Sequence, residues 1–434
     1  MSEKTKKSLS ILFLDRINGY SKMERCLNTA SMVPFVLTSL FIASIFVVFL
    51  LYSPNPLSTM SIRGGSVTVE EHFQKQEELV STNSTSKPQK EQKSCDLFKG
   101  RWFDSSRGPY YTSSSCTTIP DTKNCLKQGR KDTHFLNWKW KPEECELPRF
   151  DPKTFLDMVR GKKMAFIGDS VSRNHMESLL CLLSQEETPN DIYKDSEDRF
   201  RKWFFPEHNF TLMSLWSRFL IVGEERTVNG TGSSIFDMQL DKVDDYWATQ
   251  FPDLDYAITS DGHWFFRVLY LHEANKLIGC VYCHEPNITH HDIDFPIRMA
   301  FRSAFRYMSN CDKRVAVLVR TFAPSHFENG AWNTGGYCNR TSPMREEEVD
   351  LESVEWKVRN VQIQEVERVR KEGLRIGELD VTKAMMMRGD GHPGEYWGNK
   401  WMKGYNDCTH WCMPGPVDVW NEFLLAVLTR EPWL

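Results

Sequence analysis

Two short stretches of this chain carry the residue types of nucleophilic catalysis. The first is Gly168-Asp169-Ser170, which follows the apolar run Lys163-Met164-Ala165-Phe166-Ile167. A serine at a strand-to-helix turn lies beside the free N–H groups of a helix N-terminus, and these can stabilise an oxyanion. Gly168 permits the tight backbone such a turn needs. Alone, the tripeptide reads as readily as a helix cap, because Asp and Ser are both favoured there. The second stretch is Asp407-Cys408-Thr409-His410, near the C-terminus. A serine hydroxyl needs a base to take its proton. The base needs a carboxylate to set its tautomer and steady the imidazolium. Asp and His three residues apart on a helical turn share one face. Cys408 and Cys412 flank the histidine and could pin the turn through disulfides. Alone, the Asp–His pair reads as an exposed loop contact. Together the two stretches imply Ser170 as nucleophile, His410 as base and Asp407 as its orienting carboxylate.

The elements that must position these groups read as an α/β protein. Short apolar runs recur at Tyr256-Ala257-Ile258, at residues 315–319 and at Leu374-Arg375-Ile376, the pattern of buried parallel strands. Met176, Leu179, Leu180 and Leu183 stand at helical spacing after Ser170. Arg345 to Lys371 is long, charged and free of proline, which predicts a helix, and Asp418 to Leu428 predicts a terminal amphipathic helix after Pro414 and Pro416. Strands alternating with helices predict a doubly wound, mostly parallel sheet. Sites in such sheets form beyond the carboxyl ends of the strands. Asp169-Ser170, Ser260-Asp261-Gly262-His263, Arg320 to His326 and Asp380 all fall at such ends, so one shared cleft is expected.

The rest of the 434 residues sets the context. A net charge of −4 offers no attraction to nucleic acid or acidic lipid. The 14 Trp could fill the core or stack on sugar rings. Met32 to Tyr52 is an uncharged apolar run of bilayer-spanning length. Lys4, Lys6, Lys7, Arg16, Lys22 and Arg25 outnumber the acids before it, which predicts a type II anchor with a lumenal body. A cleaved signal peptide is the competing reading, but the run is long for one and no small-residue cleavage site follows. The expected organisation is a cytosolic tail at 1–31, the anchor at 32–52, a stem at 53–94 too polar to bury a core, and a lumenal domain at 95–434. Eleven of the 12 Cys follow the apolar run and only Cys26 precedes it, so disulfides are expected. Cys95, Cys116, Cys125 and Cys145 mark residues 95–150 as an irregular, cross-linked lobe. Cys280-Val281-Tyr282-Cys283 is a weak metal signal, and no metal is expected. Glycosylation sequons stand at Asn83, Asn209, Asn229, Asn287 and Asn339.

Gly168-Asp169-Ser170-Val171-Ser172-Arg173-Asn174 taken with Asp407-Cys408-Thr409-His410-Trp411-Cys412 resembles the plant trichome birefringence-like family of polysaccharide O-acetyltransferases. Further matches are residues 95–102, Gly262-His263-Trp264, Trp332-Asn333-Thr334-Gly335-Gly336 and Asp390-Gly391-His392-Pro393, so the resemblance covers roughly 95–434. It implies a Golgi-lumenal, type II membrane enzyme with a GDSL/SGNH-like α/β fold and a smaller disulfide-rich lobe. Residues 326–332 look closest to the altered-xyloglucan branch, whose acceptor is xyloglucan, with mannan-acting relatives nearby.

By the same resemblance, Ser170 carries an acetyl group, His410 is the base and Asp407 orients it. Gly168, Gly262 and His263 line the oxyanion or substrate cleft. Arg173, Asn174, Arg320 and His392 are candidates for acceptor binding. Cys95–Cys145, Cys116–Cys181 and Cys338–Cys408 are the implied disulfides. No cofactor is implied; the co-substrate is an acetyl donor, acetyl-CoA or another carrier, which a membrane protein could supply. One departure stands out: many relatives carry Asn-Thr where this chain has Ser260-Asp261. If that Asn serves the oxyanion, the N–H groups of Ser170 and of Gly168 or Gly262 must suffice here. An acetylesterase with the same constellation, in which water replaces the sugar hydroxyl, and a polysaccharide-binding protein with a vestigial site are the competing classes. The intact Ser, Asp and His speak against the last.

Overall fold

In the computed structural model, which describes Cys26 and residues 95–105, 108–311, 314–398, 402 and 404–431, the first strands form a small separate ribbon. β1 (Gly100–Asp104) pairs antiparallel with β2 (Trp138–Pro142). Disulfides Cys95–Cys145, Cys116–Cys181 and Cys125–Cys412 cross-link this lobe and tie it to the rest. α1 (Pro152–Met158) follows, started by Asp151, whose carboxylate accepts from the Thr154 N–H at 2.6 Å, with proline in the first turn.

β3 (Lys163–Gly168) is the central strand, buried from Met164 to Gly168. Met164 and Phe166 join one hydrophobic cluster, and Ala165 and Ile167 join the other. Both faces of the strand are therefore covered, which is why its sequence is a continuous apolar run rather than an alternation. α2 (Ser170–Leu183) leaves its end and packs against the C-terminal helix α6 (Asp418–Arg430) on the first face. α4 (Asp294–Cys311) and α5 (Val354–Lys371) pack together on the second.

The central sheet has the order β13-β12-β9-β3-β6-β5-β4. β9 (Tyr256–Ser260), β12 (Ala316–Arg320) and β13 (Ile376–Leu379) run parallel to β3, as does β6 (Phe210–Trp216). This agrees with the expected mostly parallel sheet, since only its two end pairings are antiparallel. β5 (Phe200–Phe205) and β4 (Asn190–Lys194) extend the sheet in antiparallel pairing. A second, four-stranded sheet of order β11-β10-β8-β7 is built from β7 (Ile221–Val228), β8 (Thr231–Val243), β10 (Val268–Glu273) and β11 (Lys276–Val281). The one-turn α3 (Asp245–Ala248) lies between β8 and β9.

The charged helix starts at Val354 rather than Arg345, because the Ser353 hydroxyl caps it by accepting from the Trp356 N–H. Residues 346–348 form only a 3₁₀ turn. Among the described residues no helix is long and apolar enough to cross a membrane. The expected tail (Cys26 apart), the anchor at 32–52, the stem and the Asn83 sequon lie outside the described residues. Cys26 itself is bonded to Cys311. A span at 32–52 would put those two sulfurs on opposite sides of a bilayer, so this bridge and the anchor exclude each other.

Candidate active site

Asp169 is the N-cap of α2, and its Oδ1 accepts from the N–H groups of Val171 and Ser172 at 2.9 and 3.2 Å. Ser170, the first helical residue, is half-buried, and its N–H is not among those the cap occupies. The turn depends on Gly168, whose φ is 145°. A Cβ there would lie 1.7 Å from the Ser260 carbonyl oxygen on the neighbouring strand. Gly168 stands opposite Trp216 of β6 and Ser260 of β9, so Ser170 emerges between the carboxyl ends of the strands flanking β3.

His410 reaches this serine from 240 residues away: its Nε2 lies 2.8 Å from Ser170 Oγ. Its Nδ1 lies 2.9 Å from Asp407 Oδ2. The other carboxylate oxygen accepts from the His410 and Thr409 backbone N–H groups at 2.9 and 3.1 Å. Burial works against the Asp407 charge. The His410 ring and those two N–H groups outweigh it and hold the carboxyl well below its usual range. A carboxylate there requires His410 to carry its proton on Nδ1, which leaves Nε2 free to accept from the serine. The arrangement can activate a hydroxyl as a nucleophile.

The segment bearing His410 is held from several sides. Cys338–Cys408 lies between Asp407 and His410 in the chain, and Cys125–Cys412 lies two residues beyond. The Trp411 N–H donates to Asn174 Oδ1 at 2.7 Å, which couples the segment to α2. Asp407 and Gly394 exchange two backbone hydrogen bonds of 2.9 Å. Cys116–Cys181 ties the N-terminal lobe to α2 as well. The lobe is therefore bonded both to the helix of Ser170 and to the segment of His410.

The family model described as the GDSL/SGNH-like acyl-esterase family found in Pmr5 and Cas1p, PC-Esterase, matches residues 147–427, which include every residue of this constellation. This chain belongs to the PC-Esterase family. The PMR5 N-terminal domain model matches residues 93–146, the disulfide-linked lobe. The chain is 55% identical to xyloglucan O-acetyltransferase 4 of Populus trichocarpa, over 94% of this chain and 95% of that one. It is 47% identical to xyloglucan O-acetyltransferase 2 of Arabidopsis thaliana, over 98% and 99%. It is 43% identical to protein trichome birefringence-like 20 of Arabidopsis thaliana, over 78% and 72%.

In this PC-Esterase member the remaining expected site residues divide sharply. Arg173 is half-buried and bonds to the Asp198 carbonyl, with the Asp198 carboxylate 3.7 Å away. Asn174, Arg320 and His392 are buried, and each makes at least one hydrogen bond to the scaffold. Arg320 donates to Ser260 Oγ at 2.7 Å and to the Thr321 carbonyl at 2.8 Å, and its guanidinium lies over Trp420. Burial lowers it to about 10.

The Gly262 N–H donates to the Asp261 carboxyl at 2.7 Å. Asp261 is buried, and burial together with the nearby Asp169 pushes its carboxyl well up. His263 is half-buried, its ring 4.6 Å from that of Phe322 and its Nε2 without a protein partner. Burial lowers it to about 4, so it is neutral near pH 7. The three implied disulfides are all present, and Cys125–Cys412 is one that sequence reasoning left unpaired. Cys280 and Cys283 are bonded to each other beside His290. Asn209, Asn229, Asn287 and Asn339 are exposed, as glycan acceptors must be.

Proposed function

We propose that this chain transfers acetyl groups onto hydroxyls of a hemicellulose, with xyloglucan as the acceptor, through an acetyl-serine on Ser170. The observation that carries the reading is the continuous hydrogen-bonded line from Ser170 Oγ through His410 to Asp407, with contacts of 2.8 and 2.9 Å. The relatives' names support the acceptor.

Ser170 Oγ attacks the acyl carbon of the donor while His410 Nε2 takes its proton, and the donor's leaving group departs protonated by His410. The Ser170 N–H at the start of α2 faces the developing oxyanion, helped by the helix dipole. A sugar hydroxyl then attacks the acetyl-serine and gives its proton to His410; the bond from the acyl carbon to Ser170 Oγ breaks, His410 returns the proton to Ser170 Oγ, and the sugar leaves as its acetate ester. Asp407 steadies the imidazolium in both halves. With water in place of the sugar the same intermediate yields acetate, the esterase outcome that the family description names. The donor is acetyl-CoA or another acetyl carrier, supplied in the lumen of the Golgi, where a type II anchor at 32–52 would hold the domain. That placement requires Cys26 and Cys311 to be unbridged.

The test uses full-length protein, an acetyl donor and deacetylated xyloglucan or mannan oligosaccharides, read by mass spectrometry. Donor alone should add one acetyl mass to the peptide holding Ser170. Ser170→Ala should stay folded and lose both labelling and transfer. Transfer at the wild-type rate by that variant would end the nucleophile assignment.

A further inference from the structure

Two histidines outside the constellation, His326 and His392, meet behind the base. We infer that they are positioning residues for His410 and act through a single proton shared between their rings. The inference rests on the reading of His410 as the base.

His326 Nε2 lies 2.9 Å from the Met386 carbonyl oxygen, and His392 Nδ1 lies 2.7 Å from the His410 carbonyl oxygen. Carbonyls only accept, so each ring must place an N–H on its outer nitrogen. The inner nitrogens, His326 Nδ1 and His392 Nε2, are 2.7 Å apart. In two neutral rings both would then carry bare lone pairs, and a contact that short would be repulsive. One added proton turns it into a charge-assisted N–H···N bond. The three distances are satisfied together only by three protons on two rings, a dyad of net charge +1.

The net effect of the surroundings is against an added proton: His326 is lowered from the usual histidine range and His392 well below it. Burial is the largest influence on both rings and disfavours the charge. Arg340 opposes it at His326, while Asp390 and the Met386 carbonyl favour it. His326 and, less strongly, His410 oppose it at His392, while the His410 carbonyl and Asp407 favour it. Asp390 is already paired with Arg388 at 2.8 Å, and Arg130 donates to the carbonyl oxygens of both Asp390 and His392. The inner bond therefore holds the proton against burial, and the dyad loses it as pH rises.

Loss of the proton acts on the base-bearing segment directly. The His326 backbone N–H donates to the Cys408 carbonyl at 3.0 Å, and the His392 ring holds the His410 carbonyl. The Trp411 ring lies 4.1 Å from that of His392. A neutral dyad must give up one outer bond or separate its rings, and either shifts the main chain of His410. A misplacement of about 1 Å at the base costs on the order of a hundredfold in rate.

The deciding experiment is the pH dependence of kcat and of KM for acetyl transfer, in full-length wild type and in His326→Gln. A glutamine amide can donate to His392 Nε2 without an added proton. Wild type should show a falling alkaline limb in kcat with KM little changed. In His326→Gln that limb should move up by about one pH unit or more or vanish, while the acid-side rate stays within roughly tenfold of wild type. A second variant, His326→Leu, gives His392 no partner and should lower kcat on the acid side as well. Superimposable alkaline limbs in wild type and His326→Gln would overturn the shared proton. Failure of Ser170 to become acetylated in wild type would instead remove the reading on which the inference rests, so the two failures are distinguishable.

Discussion

Replacing Asp407 by Asn tests the orienting role with little change of shape, and the structure dictates how the amide must sit. Oδ1 of Asp407 accepts from two backbone N–H groups, those of His410 and Thr409, while Oδ2 meets only His410 Nδ1. An amide nitrogen at the first position would face two donors, so the Asn carbonyl oxygen takes that place and its NH₂ points at the ring. His410 Nδ1 must then accept, the ring proton moves to Nε2, and Nε2 can no longer take a proton from Ser170 Oγ at 2.8 Å. The base is present but in the wrong tautomer. In serine proteases the same exchange costs about ten-thousand-fold in kcat, or roughly 5.5 kcal/mol of barrier. The two backbone bonds survive, so the fold should survive as well. The assay is acetylation of Ser170 by donor alone under rapid quench, alongside steady-state transfer and a thermal melt. A folded variant with a loss of about threefold or less would refute the orienting role.

Other consequences follow from the same geometry. Gly168→Ala puts a Cβ 1.7 Å from the Ser260 carbonyl at a φ of 145°; a destabilisation of about 3–5 kcal/mol is expected, read as a lower melting temperature or loss of soluble protein. Glu422 is buried against Tyr110, and burial raises its carboxyl from 4.5 to about 7. Its stabilising effect is full below about pH 4.5 and is lost as pH rises through 7. Glu422→Gln should therefore raise stability at pH 8 by up to about 3 kcal/mol and change it little at pH 4.5, and equal melting shifts at both would refute this. Non-reducing peptide mapping should recover Cys125–Cys412 and Cys338–Cys408 from active protein. A cross-linked Cys26–Cys311 peptide would remove the anchor at 32–52, whereas its absence would remove that bridge.

The sequence by itself determined which residues to examine and the frame that carries them. Ser170, Asp407 and His410 were legible as candidates because few residue types can serve as nucleophile, base and orienting carboxylate, and because each half sits in a local motif. β3, β9, β12 and β13 were legible because a strand buried on both faces is a continuous apolar run. β4, β5 and the second sheet were not. Their strands are partly exposed, as in Ile221–Val228 with its charged Glu224, Glu225 and Arg226, and such short mixed patterns carry little signal. Only the tertiary structure decided which polar groups are free to act. Asn174, Arg320 and His392 look like binding residues in a motif, yet packing buries them and directs them at Trp411, Ser260 and His410. The Gly262 N–H is bonded to the neighbouring Asp261 side chain, and the partner of Cys412 lies 287 residues away. Hydrogen-bond partners and cross-links of that range depend on chain closure in three dimensions, which no local spacing encodes.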